Sequence, residues 1–241
     1  MQLPLGQISL FPYDFAPADW MSCDGSVLSI AENDMLFMTI GSTYGGDGER
    51  TFAVPDLRAV APKNCQYCIA VRGYFGELGY DGIVGETFFA ANDRSERNIK
   101  ECAGQSFAKS QYMLLNTYMG TRFGGDDKNF KLPDLRSKTT PNPKYVMAME
   151  GGTPESYSGP RTLLVGEIVL LPYDRQLEKM THCDGKMLLK QQNPGLYSLL
   201  GDRFGGNAQQ FAVPDLRSAA PKDFTYYIAL QGVFPSRGQL L

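Results

Sequence analysis

Short apolar runs alternate with polar, glycine-punctuated stretches along this chain, and the same succession of runs occurs three times. Each round opens with a glycine (Gly6, Gly85, Gly166) and an apolar or β-branched segment at residues 8–10, 87–89 or 168–170, which predicts a short strand. Pro12 and Pro172 stop two of these strands. Apolar pairs four residues apart follow: Leu36 and Ile40, Leu115 and Met119, Leu196 and Leu200. They stand just before Gly41, Gly120 and Gly201, so one short helix per round is expected, its apolar face ending at a C′ glycine. Ser29 and Glu32 have the spacing of a capping box in the first round, although Ala108 and Leu189 replace the serine in the others. Each round ends in an alternating segment, residues 67–71, 145–149 or 226–230, closed by Gly73, Gly151 or Gly232, which predicts a terminal strand.

These landmarks make the chain three tandem copies of one unit. Cys23, Cys102 and Cys183 stand at one fixed distance from the opening glycines. Behind each helix comes an aromatic with a Gly-Gly pair: Tyr44-Gly45-Gly46, Phe123-Gly124-Gly125 and Phe204-Gly205-Gly206. The sharpest signature is a Pro-Asp-Leu-Arg element carried by Pro55, Asp56 and Arg58, by Pro133, Asp134 and Arg136, and by Pro214, Asp215 and Arg217. There proline fixes an extended approach, aspartate can accept backbone N–H bonds as a turn cap, and arginine can pair with a carboxylate, so the element reads as a structural clasp. The units are expected at 1–73, 85–151 and 166–232, with connectors at 74–84 and 152–165 and a tail at 233–241.

Composition adds exclusions. Hydrophobic residues make up 43% and charged residues 20% of the 241, the balance of a globular protein, and the formal charge of −3 without a Lys/Arg run argues against a nucleic-acid partner. No window approaches the about 18 apolar residues of a membrane span, and the first residues lack the pattern of a signal peptide, so no membrane insertion and synthesis in the cytoplasm are expected. Five cysteines, three at repeat-equivalent places, read as buried thiols rather than a disulfide framework; Cys65 and Cys68 form a lone C-x-x-C with no second pair.

The residues Cys23-Asp24-Gly25, the run from Gly41 through Tyr44, Gly45 and Gly46 to Asp47 and Gly48, and Phe52 with the following Pro-Asp-Leu-Arg resemble the phage tail collar domain, shared with microcystin-dependent proteins. Trp20 and Phe15-Ala16-Pro17 fit the same pattern, while Met180 and Ile99 replace the tryptophan in the other copies and Ala103 replaces the aspartate in the second. The resemblance implies an α+β fold: small, loop-rich domains with short strands and one short helix each, of the kind that packs around a threefold axis in trimeric fibres. With all three copies on one chain, the expectation is a monomer closed as an intramolecular pseudo-trimer, since units of this size gain by burying surface against one another. A row of separate beads is the alternative.

For function, one histidine (His182) and no recognised catalytic motif argue against an enzyme. The repeated aspartates Asp14, Asp93 and Asp174, and the local pairs Asp47 with Glu49 and Asp126 with Asp127, fall short of the oxygen ligands a calcium site needs; no metal and no cofactor are expected. The resemblance implies a virion component that joins other tail, fibre or baseplate proteins and contributes to host attachment through a cell-surface receptor or glycan. A bacterial surface or appendage protein built on the same domain is the alternative, and a polysaccharide hydrolase would need paired carboxylates in a cleft. The candidate partner-binding residues lie where the copies differ: Tyr74, Phe75, Tyr80, Tyr157, Arg161, Phe234 and Arg237.

Overall fold

A computed structural model describes residues 5–73, 82–91, 98–136, 143–153 and 163–237. The first repeat runs β1 (Gln7–Phe11), β2 (Trp20–Ser22), β3 (Val27–Ser29), α1 (Asp34–Ile40), β4 (Thr51–Ala53) and β5 (Gln66–Ala70). The second has the same order in β6 (Thr87–Ala90), β7 (Ile99–Glu101), β8 (Ser106–Ala108), α2 (Met113–Met119), β9 (Asn129–Lys131) and β10 (Lys144–Ala148). The third repeats it in β11 (Ile168–Leu171), β12 (Met180–His182), β13 (Met187–Leu189), α3 (Pro194–Leu200), β14 (Gln210–Ala212) and β15 (Thr225–Ala229).

Within a repeat the terminal strand lies between the first two, antiparallel to both: β5 pairs β1 and β2, β10 pairs β6 and β7, and β15 pairs β11 and β12. Two-stranded ladders β3–β4, β8–β9 and β13–β14 flank each helix in sequence. The first strands also pair across repeats, Ile8 with Phe89, Leu10 with Ile168 and Leu170 with Thr87, so each is bridged to the other two and nine strands share one sheet.

The α+β class expected from the sequence is corrected here: the chain is mostly β. Fifteen strands stand against three helices of seven residues each among the described residues. The helices are short because both ends are fixed by the backbone. Asn33, Tyr112 and Asn193 precede them in non-helical conformations, and Gly41, Gly120 and Gly201 end them with φ of 59°, 60° and 55° and ψ of −152°, −145° and −141°. That region is open essentially to glycine alone, so no other residue continues the chain there without strain. Two turns of helix therefore serve each repeat, while cross-repeat pairing extends the sheet.

The capping box does not form. Ser29 ends β3, the residue before α1 is Asn33, and no side chain caps that helix; Asn33 instead donates its Nδ2–H to the Ser29 carbonyl oxygen at 3.1 Å. The β3–β4 ladder takes the serine that a longer helix would have used.

Around the first helix Cys23, Leu36, Ile40, Phe52, Val54 and Leu57 form a buried centre, and the matching residues around the second and third helices fall in one continuous cluster. Apolar burial at about 25 cal/mol per Å² makes such clusters the main favourable term. The central clusters cross repeats. Leu10, Met147 and Ile228 share one, and Tyr67, Tyr145 and Tyr226, the first residues of the alternating segments, border it or lie in it. Phe89 stacks on Tyr145 with centroids 4.2 Å apart and meets Tyr67 edge-on at 5.2 Å.

Candidate functional site

The Pro-Asp-Leu-Arg element has one geometry in all three copies. Arg58 donates Nε–H to Asp56 Oδ1 at 2.9 Å and Nη2–H to Oδ2 at 2.6 Å, and its backbone N–H reaches Oδ1 at 3.2 Å. Asp134 with Arg136 and Asp215 with Arg217 repeat the same fork. These hydrogen bonds, the side-chain ones foremost, hold the carboxyls at about 2. Opposite each aspartate lies the Cys-x-Gly turn, bridged as Asp24 to Asp56, Ala103 to Asp134 and Asp184 to Asp215. The element therefore turns the chain against the residue that follows each buried cysteine. The arginine side chains are 59–71% exposed, so solvent screens these ion pairs and their value is in shaping the turn rather than in stability.

The loop after each Gly-Gly pair is organised by one side chain. Asp47 Oδ1 accepts N–H bonds from Glu49, Arg50 and Thr51 at 2.9, 2.8 and 2.7 Å, which hold the carboxyl at about 2. Asp126 serves Lys128 and Asn129 in the same way, and Asn207 serves Gln209 and Gln210. An amide replaces the carboxylate in the third copy, so the shared task at this place is turn formation. Among the described residues no cluster of three metal-ligating side chains occurs.

The cysteines point into cores. Cys23, Cys102 and Cys183 are buried, and burial raises all three thiols well above their ordinary value. Cys68 packs with Phe11, Tyr13 and Trp20, whereas Cys65 packs against the cluster that holds Cys183, so the C-x-x-C pair faces two different cores. His182, next to Cys183 in sequence, turns instead to Asp174, with Nε2 2.7 Å from Oδ1.

Chain-wide matching decides the family: the profile of the phage tail collar domain fits this sequence three times, at residues 6–62, 85–140 and 166–221. The chain belongs to the phage tail collar domain family. Membership makes it a structural component of the phage tail-fibre kind, associated with other tail or fibre proteins and with the virion. Comparison with curated proteins and with solved structures gives no match.

The collar domains meet through seams that the sequence pattern did not single out. Tyr44 of the first donates its hydroxyl to the Ala91 carbonyl oxygen of the second at 3.0 Å. Arg122 of the second donates Nη1–H to the Pro172 carbonyl oxygen of the third at 3.1 Å, beside a Phe123–Phe224 contact with centroids 5.5 Å apart. Arg203 of the third pairs with Asp14 of the first at 3.0 Å, and Asn64 of the first donates to the Arg203 carbonyl oxygen at 3.4 Å. Tyr118 of α2 packs on the cluster of the third domain that contains Tyr173, and Leu199 of α3 on that of the first with Phe11 and Tyr13. The signal for these contacts was faint: Arg122 and Arg203 precede the aromatic of their Gly-Gly landmarks, whereas in the first copy the aromatic itself, Tyr44, makes the contact.

Buried polar residues brace the turns ahead of the first strands. Glu86 and Glu167, which follow the opening glycines, accept backbone N–H bonds through Oε2 from Ile83 at 3.3 Å and Leu164 at 3.2 Å. Gln7 takes their place in the first collar domain, and the residue three before it is Pro4, which has no N–H to offer.

Of the candidate contact residues, Tyr74, Phe75, Tyr80, Tyr157 and Arg161 lie outside the described residues. Phe234 is 54% exposed. Arg237 places its guanidinium 5.1 Å from the Phe15 ring centre, and its neighbour Ser236 accepts the Ala18 N–H at 2.9 Å, so the tail after the third collar domain is laid along the first.

Proposed function

We propose that the three collar domains close as an intramolecular pseudo-trimer, and that this single chain serves as a non-catalytic adaptor or cap on a phage or phage-like tail fibre or baseplate. The observation that carries the reading is the cyclic order of the seams: first onto second, second onto third, third onto first, around three mutually bridged first strands. Each seam is heterologous and joins a loop of one unit to the first-strand end of the next, the arrangement that closes into a ring. The units are those at 1–73, 85–151 and 166–232, and the natural neighbour is a tail, fibre or baseplate protein of threefold symmetry. Tyr74, Phe75, Tyr80, Tyr157, Arg161, Phe234 and Arg237 are the proposed contacts to a cell-surface receptor or glycan, because they fall in connectors and tail where the copies diverge.

Small-angle scattering with light-scattering mass tests the closure. A monomer of 26.6 kDa with a radius of gyration of about 18 Å is expected. A clearly longer particle would replace the ring by independent modules. Immunogold labelling of purified particles tests the placement on a tail, and a protein found only free of particles would remove the adaptor role.

A further inference from the structure

Two pseudo-equivalent seams use the same pair of groups differently. Between the third and first repeats, Arg203 Nη2 lies 3.0 Å from Asp14 Oδ2. Between the second and third, the corresponding residues are Arg122 and Asp174, and no ion pair joins them. Arg122 Nη1 donates to the carbonyl oxygens of Pro172 at 3.1 Å and Asp223 at 3.5 Å, while Asp174 Oδ1 lies 2.7 Å from Nε2 of His182.

His182 is the sole histidine of the chain, and its side chain is 24% exposed. Its ring rests on Tyr227, centroids 4.7 Å apart. The Tyr227 hydroxyl lies 3.4 Å from the same Asp174 oxygen, donates to the Arg175 carbonyl oxygen at 3.0 Å and accepts the Arg175 N–H at 2.8 Å. The charge of Arg122 acts on Tyr227 from across the seam. The charged and titratable groups gathered around His182 are thus Asp174, Tyr227, Arg175 and Arg122.

We propose that His182 and Arg122 compete for Asp174, so that proton uptake by His182 selects which contact holds the seam between the second and third repeats. The protonated ring donates a charge-assisted N–H bond to Asp174, and Arg122 stays on the carbonyl oxygens. A neutral ring offers only a weaker bond. Asp174 then turns to the permanently charged guanidinium, and the seam acquires the pairing already present between Arg203 and Asp14. The Arg122–Asp174 pair is accordingly present while the ring is neutral and lost when it carries the proton. Repeat 1 carries Ser22 and repeat 2 Glu101 at the place of His182, which confines the device to one seam.

This inference rests on the ring proposed above, and the test separates the two. Thermal melts of the full chain compare wild type with R122Q at pH 8 and at pH 5. The melting temperature lost on R122Q is expected to be larger at pH 8 by about 2 °C or more. In an H182Q background, and equally in D174N, that difference between the two pH values disappears. Equal losses at both pH values, or a difference that survives H182Q, overturn the competition. Scattering on the same samples reads the ring independently: an extended particle removes the ring itself, whereas a compact one with equal losses removes only the switch.

Discussion

The hydroxyl of Tyr173 donates to the carbonyl oxygen of Val84 at 2.6 Å, whereas Tyr13, its repeat-equivalent, buries a hydroxyl that meets no hydrogen-bond partner among the described residues. Both rings pack on an opening glycine of another repeat, Tyr173 on Gly85 and Tyr13 on Gly166. One substitution should therefore have two outcomes. Y173F strands a buried carbonyl and is expected to cost about 1–2 kcal/mol, while Y13F is neutral or slightly stabilising. Urea unfolding of the two variants, read as ΔΔG against wild type, checks the asymmetry.

Gly46 adopts φ of +91°, and a Cβ there would overlap the backbone of Phe52 and Thr51. No side-chain rearrangement relieves a clash with backbone. G46A should thus be among the most damaging single changes, at about 3 kcal/mol or more, or should abolish soluble expression. Gly41 has φ of +59° but open space where its Cβ would stand, so G41A carries only the backbone strain, about 1–3 kcal/mol. The order of the two melting temperatures is the measurement.

Asp47, Asp56, Asp134 and Asp215 are held at about 2 in the folded chain. Their folded values lie below the ordinary carboxylate value of about 3.9, so they stabilise the fold above that pH and lose the contribution as pH falls towards 2. Stability is expected to drop between about pH 4 and pH 2. D47N, which removes one of these groups, should flatten that part of the profile in denaturant titrations across pH.

Burial pushes the thiols of Cys65 and Cys68 up to about 12. Since the thiolate is the reacting species, the folded chain should be nearly inert to thiol reagents at pH 8. Cys65, the half-buried one, should react first, and all five thiols together only on unfolding. Reaction with a chromogenic disulfide, with and without denaturant, follows this directly.

The threefold division was legible because its markers are dictated locally. A glycine that ends a helix at positive φ, a proline that sets an extended approach and an aspartate that caps a turn are each demanded by a few neighbouring residues, so they persist in every copy. The strand at each end of a copy was legible for the same reason. What the sequence hid is what depends on distant residues. Nothing near Leu10 announces Ile168 as its partner, and the α/β balance was misjudged because that pairing extends the sheet. The seams were hidden further by chemistry, since a tyrosine serves the first seam where arginines serve the other two, and even Arg122 and Arg203 choose different acceptors. The Ser29–Glu32 spacing failed because β3 takes the serine first. The sequence places Arg237 among the candidate partner contacts and says nothing of the Phe15 ring, far away in sequence, on which its guanidinium rests.

The inequality of the three seams has a genetic meaning. In an assembly of three identical chains, any mutation appears at every seam simultaneously, and a change harmful at one is harmful threefold. Here Tyr44–Ala91, Arg122–Pro172 and Arg203–Asp14 are encoded at separate places in one reading frame, so each can be altered while the other two stay as they are. A histidine at a single seam, or a tail laid over a single domain, is a novelty that only such a chain can inherit one step at a time.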